Sequence, residues 1–143
     1  MNALKPALFA IAATFAATAA FAAQAADLPA EQVQGPVHFL TGGIGKQEAD
    51  AMKQAMKHYP LSLEFVARAR SRDEYLASIP VTIKNGRGQV VLHTVAQGPF
   101  LLVKDLHPGK YEISAAQNGR TEKRTAQVPA KGAERLVFEW RAG

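Results

Sequence analysis

The chain has 143 residues and no cysteine. That excludes disulfide bonds, a lipid-modified N-terminal Cys, a thiol nucleophile and any cysteine-ligated metal centre. Small proteins outside the cytoplasm often lean on disulfides, so this one must be held by its core alone. Aromatic residues are sparse at 8%, with a single Trp. After residue 25 no apolar run approaches the about 20 residues that a spanning helix needs, so no integral membrane segment is expected there. Neither sign of charge dominates. The net charge is +5 at pH 7, with acidic and basic side chains interspersed. Such a balance favours solubility and weak attraction to anionic surfaces. It is not the footprint of a dedicated nucleic-acid binder.

The first residues carry a different signal. Lys5 is the only charge ahead of an apolar stretch from Ala7 to Ala23, which ends at Ala23-Gln24-Ala25. A positive start, an apolar middle and small residues at a cleavage site are the three parts of a secretory signal peptide. Residues 1–25 are therefore read as a signal removed after Ala25, with cleavage after Ala22 as the second option. The expected compartment is a Gram-negative periplasm or the exterior. Residues 26–36, polar and Pro-containing, read as a flexible arm. Residues 37–143 read as one domain.

Within that domain the hydrophobic period changes once. Val37 to Leu40 is a short apolar run, followed by Gly42, Gly43 and Gly45. Ile44 and then, at three- and four-residue steps, Ala49, Met52, Ala55, Met56 and Tyr59 are read as one apolar face, which predicts an amphipathic helix from about Lys46 to His58. Glu48 and Asp50 lie early in it, Lys53 and Lys57 late, and Pro60 stops it. Beyond Pro60 the period is two. Leu61-Leu63-Phe65, Ile79-Val81-Ile83, Tyr111-Ile113-Ala115 and Leu136-Phe138-Trp140 each alternate with other residues, the pattern of strands with one buried face. Val90 to Val95 and Phe100 to Val103 are more uniformly apolar and suit central strands. The polar run Arg120 to Val128 suits an edge strand. Asn85-Gly86, Gly98-Pro99, Pro108-Gly109 and Asn118-Gly119 punctuate these runs, and Asn118-Gly119 is the strongest hairpin signal. The expectation is a mainly β fold: a seven-stranded Greek-key β-sandwich preceded by one amphipathic helix.

Reaction centres are not legible. Gly42-Gly43-Ile44-Gly45-Lys46 lacks the earlier Gly and the following Ser or Thr of a phosphate-binding loop, and reads as a turn into the helix. His38, His58, His93 and His107 lie far apart and form no ligand pair, so neither a metal nor another cofactor is expected. Ser62, Ser71, Ser78 and Ser114 lack a nucleophile-elbow context. Arg68, Arg70 and Arg72 have period-two spacing, which would form a basic ladder if their strand continued. Tyr75, in a predicted loop, is the freest aromatic; Phe100 and Trp140 fall at core positions. Leu106-His107-Pro108-Gly109-Lys110-Tyr111 is a structural pattern: the Pro108-Gly109 turn delivers Tyr111 to a strand start, where its hydroxyl pins the corner.

The runs Gly98-Pro99-Phe100-Leu101-Leu102, Leu106 to Tyr111 and Asn118-Gly119 resemble those of carboxypeptidase regulatory-like domains, small transthyretin-like sandwiches with a carbohydrate-binding-like fold. With the Gly42 to His58 segment, the chain is similar to a group of small proteobacterial exported proteins. The resemblance implies a non-enzymatic accessory module and brings no active-site residues. Its partner would be a protein or an envelope glycan, the latter making it a carbohydrate-binding module. Transthyretin-like hydroxyisourate hydrolases, a further alternative, end in Tyr-Arg-Gly-Ser and carry an N-terminal His motif; this chain ends Trp140-Arg141-Ala142-Gly143, shares only the Arg, and shows no recognisable His motif around His38.

Overall fold

The computed structural model describes residues 28–141; the predicted signal peptide lies outside them. Among these described residues ten strands and one α-helix follow in order: β1 (Gln32–Gln34), β2 (Val37–Gly42), α1 (Lys46–Ala55, continued by a 3-10 turn Met56–His58), β3 (Leu61–Arg68), β4 (Asp73–Tyr75), β5 (Ile79–Lys84), β6 (Val90–Ala96), β7 (Phe100–Lys104), β8 (Gly109–Gln117), β9 (Arg120–Val128) and β10 (Glu134–Arg141). The architecture is mainly β, in two sheets. One sheet runs β1-β2-β7-β3-β10, with β4 also paired to β3, and the other runs β6-β5-β8-β9. Leu63, Phe65, Leu101 and Phe138 of the first sheet share one core with Val81, Ile83, Leu92 and Ile113 of the second.

The expected count of seven strands is corrected to ten. The seven predicted runs all form strands, and β2 covers the short apolar run before the helix. The two that period-two reading missed, β1 and β4, are three residues each. Three residues are too few to display an alternation. β1 lies within the stretch read as an arm. It pairs antiparallel with β2, and Glu31 beside it meets Lys104 of β7 at 2.9 Å.

The helix forms where predicted and lies against the outer face of the first sheet. Met52 and Met56 pack there with Leu40, Phe100 and Leu102. Full burial of a side chain such as Met52 is worth about 1.5–3 kcal/mol. This layer overturns the expectation of a single buried face on β3. Ser62 and Glu64, on the outer side, are only 1% and 8% exposed. Ile44 does not join the helical face. It is 66% exposed in the turn between Gly43 and Gly45, whose positive φ angles keep it ahead of the first helical turn.

β7 is central, between β2 and β3, as its uniform apolar run predicts. β6 is not: it is the edge of the second sheet. Its Val90 and Val95 are exposed, and its outward backbone is met by side chains instead of a strand. The Gln34 amide donates to His93 O at 3.0 Å and accepts from His93 N–H at 2.8 Å, and the Gln97 amide donates to Val95 O at 3.3 Å. β9 is an edge, as its polarity predicts. Asn118 and Gly119, both at positive φ, make the tight turn between β8 and β9. Tyr111 donates its hydroxyl to His107 O at 2.7 Å, pinning the corner that Pro108 and Gly109 open.

Candidate binding surface

β10 runs parallel to β3 and β4 runs antiparallel to it, so β3 carries neighbours on both sides. The registers align side chains into rows on the outer face. Arg141, Arg68 and Asp73 form the end row. Glu139, Val66 and Tyr75 form the next. Further along, Val137 and Arg135 stand beside Glu64 and Ser62, and the row continues to Phe100 and Leu102 of β7. The helix packs on Phe100 and Leu102, leaving the Arg68 and Tyr75 rows at the end of the sheet.

Two diagonal ion pairs stitch β3 to β10. Arg135 pairs with Glu64, and Arg68 Nη2 meets Glu139 Oε1 at 2.8 Å. Arg68 Nε also lies 3.6 Å from Asp73 Oδ1. Arg68, Asp73 and Glu139 are all well exposed, so each of these contacts contributes only about 0.2–1 kcal/mol. Glu64 is nearly buried and depends on its arginine far more.

Between the edges of the two sheets lies a cleft of about 400 Å³ lined by Arg68, Arg120, Glu122, Glu139, Trp140 and Arg141. Two bonds close its floor. Arg120 Nη2 donates to Arg141 O at 2.8 Å, and Trp140 Nε1 donates to Arg120 O at 3.1 Å. Trp140 is buried against Phe65 and Phe138, and Arg124 lies 5.6 Å from the Phe138 ring centroid.

The predicted basic ladder does not form. β3 ends at Arg68, and the chain turns back at once, with Ala69 N–H donating to Arg72 O at 3.2 Å. Arg70 and Arg72 sit exposed in that turn rather than on a strand face. The acidic pair Asp73-Glu74 opens β4, which occupies the flank of β3 beyond the end of β7. Tyr75, predicted in a loop, is the last residue of β4. It is 49% exposed and packs edge-on against Phe100 at 5.5 Å between centroids. Lys53 of the helix lies 5.5 Å from its ring centroid. The Tyr75 side chain beside it holds the Lys53 ammonium above the ordinary lysine range.

Arg68 and Tyr75 therefore share one face, with Arg70 and Arg72 at its tip. Lys53, Arg120 and Glu139 also belong to this surface and were not singled out from sequence; Arg141 belongs to it as well and stood out only as the Arg shared with the hydrolase tail. The alternation of β10 was visible, but the parallel pairing that carries Glu139 and Arg141 beside Arg68 was not.

No family model and no curated protein matches this sequence.

The four histidines do not gather on this surface. His38 lies 2.6 Å from Asp105, outside hydrogen-bonding angles, and His93 contacts Thr82 at 2.8 Å. Among the described residues no group of three or more His, Asp or Glu is placed to hold a metal ion. No helix among them is long and apolar enough to cross a membrane.

Proposed function

We propose that this protein is an exported, non-enzymatic binding module that grips a protein or cell-envelope component with the arginine-bearing end of its first sheet. The observation that carries the reading is the row Arg141-Arg68-Asp73 beside Tyr75, with Arg70 and Arg72 at its exposed tip. Guanidinium groups recognise carboxylate and phosphate through paired donors, and a half-exposed Tyr adds contact area at low entropic cost. The proposed fold is a transthyretin-like Greek-key sandwich of the carboxypeptidase regulatory-like kind, made of β3 and β5–β10. In this reading β1, β2 and β4 are additions to its edges. The turns at Gly98-Pro99, Pro108-Gly109 and Asn118-Gly119, each between two of those strands, support it. The signal-like first residues support a periplasmic location.

Recognition of a glycan is the second reading, favoured by the exposure of Tyr75. Lys53 beside the ring stands in the way of a sugar stacking there. The hydrolase alternative is weakly supported. His38 pairs with Lys104 at the far end of the first sheet from Arg141, and the eight residues of β3 separate those ends by roughly 20 Å or more.

The test is crosslinking in the native periplasm with wild type and with Arg70→Glu/Arg72→Glu. The reading expects a captured partner that the variant loses. Equal capture by both would refute it. Retention on a glycan array that Tyr75→Ala abolishes would favour the second reading, and hydroxyisourate turnover abolished by Arg141→Ala would establish the third.

A further inference from the structure

Every open sheet has two edges, and each is a row of backbone donors and acceptors in need of partners. Here they are β1 and β10 in one sheet, where the outer side of the three-residue β4 is open as well, and β6 and β9 in the other. β1 is only three residues long. β6 is stopped by the amides of Gln34 and Gln97. β9 opens with Arg-Thr-Glu-Lys-Arg, a run whose charge repels strand pairing.

β10 differs. It runs eight residues in unbroken register with β3. Glu134 N–H donates to Pro60 O at 2.9 Å, which fixes the parity of the strand. Even-numbered residues turn their backbone groups toward β3, and odd-numbered residues turn theirs to the free edge. Arg141 conforms, because its outward carbonyl is the one that Arg120 takes. The outward N–H and C=O groups of Arg135, Val137 and Glu139 have no partner among the described residues.

We infer that the free edge of β10 takes up an acidic, extended segment of another protein as an added strand, its carboxylates meeting Arg120, Arg124 and Arg141. This rests on the reading of the arginine end as a binding surface and names the kind of partner. Backbone pairing to residues 135, 137 and 139 supplies binding, and alternate side chains supply selectivity. One set of the guest's side chains falls on the outer face near Arg135, Glu139 and Arg141. The other set enters the cleft beside Arg120 and Glu122. Arginines outnumber carboxylates around this edge, and two of the glutamates, Glu64 and Glu139, are already paired. The same charges that discourage a basic or neutral strand therefore admit an acidic one.

A synthetic peptide alternating Val and Glu is the probe, with a Val-Lys peptide as its counterpart. The acidic peptide is expected to bind, to weaken with added salt, and to slow hydrogen exchange at the amides of Arg135, Val137 and Glu139. Val137→Pro removes an outward N–H that β3 does not use, so the fold tolerates it while binding falls about tenfold or more. Exchange in the wild-type protein reads the same site without any variant. Arg120→Ala and Arg141→Ala should each weaken the acidic peptide and not the basic one. If the arginine variants weaken binding but Val137→Pro does not, and no amide of β10 is protected, the surface stands and strand addition is wrong. If neither class of variant changes binding, both readings fail. Absence of peptide binding, or a dimer of this chain that Val137→Pro dissociates, also overturns the proposal.

Discussion

Tyr111 and Gly98 show how much a single position carries in a core with no covalent staple. The Tyr111 hydroxyl bridges to His107 O, so Tyr111→Phe should cost about 0.5–1.5 kcal/mol in a urea titration. Burial pushes this hydroxyl above the ordinary tyrosine value of 10.0. Above that pH the unfolded chain releases a proton that the folded one keeps, so stability is whole below pH 10 and falls as pH rises through the folded value. Tyr111→Phe should remove part of this alkaline loss. Tyr59, also pushed up by burial, should sustain the rest. Gly98 is a matter of space. A Cβ there would lie 2.5 Å from Gly42 O and 2.6 Å from Gly42 C, a backbone that cannot rotate away. Gly98→Ala should therefore lower stability by about 1–3 kcal/mol, measured the same way.

Among the elements, the β3–β10 pairing has the most to lose. Glu64 faces the helix-covered side and keeps its charge company with Arg135. Arg135→Ala strands that carboxylate and should cost about 1–3 kcal/mol or more. Adding Glu64→Gln to Arg135→Ala should recover much of the loss, because it removes the orphaned charge. A double-mutant cycle by chemical denaturation checks this, and an additive result would show that the pair carries no coupling. Period-two alternation was enough to find both strands. It could not find their partnership, since an ion-pair partner on a parallel strand 71 positions away leaves no local mark.

Across the whole molecule, one core joins both sheets and the helix closes the outer face of one of them. Such an arrangement should melt as a unit. Fluorescence of Trp140, the only Trp and buried in the shared core, should follow the same denaturant transition as far-UV circular dichroism. Met52→Ala in the helix and Leu92→Ala in the far sheet should each shift both signals together, by about 2–5 kcal/mol. Separate transitions would mean that the helix layer unfolds on its own.

The change of period at Pro60, the punctuation by Gly and Pro and the Asn-Gly hairpin determined, without any coordinates, that one helix leads into a mainly β chain. Local sequence suffices there because backbone preference and side-chain alternation act over a few neighbouring residues. Which strands sit at edges was decided only in three dimensions. The uniformly apolar β6 is an edge because Gln34, from a distant segment, meets its backbone, and β3 is buried on its outer side too because Ser62 and Glu64 lie beside Leu102 and Phe100, on which the helix packs. The candidate surface belongs to the same class. Arg68, Tyr75, Arg120 and Arg141 become neighbours through pairing register and sheet packing, which depend on long-range fit rather than on the order of residues near each one.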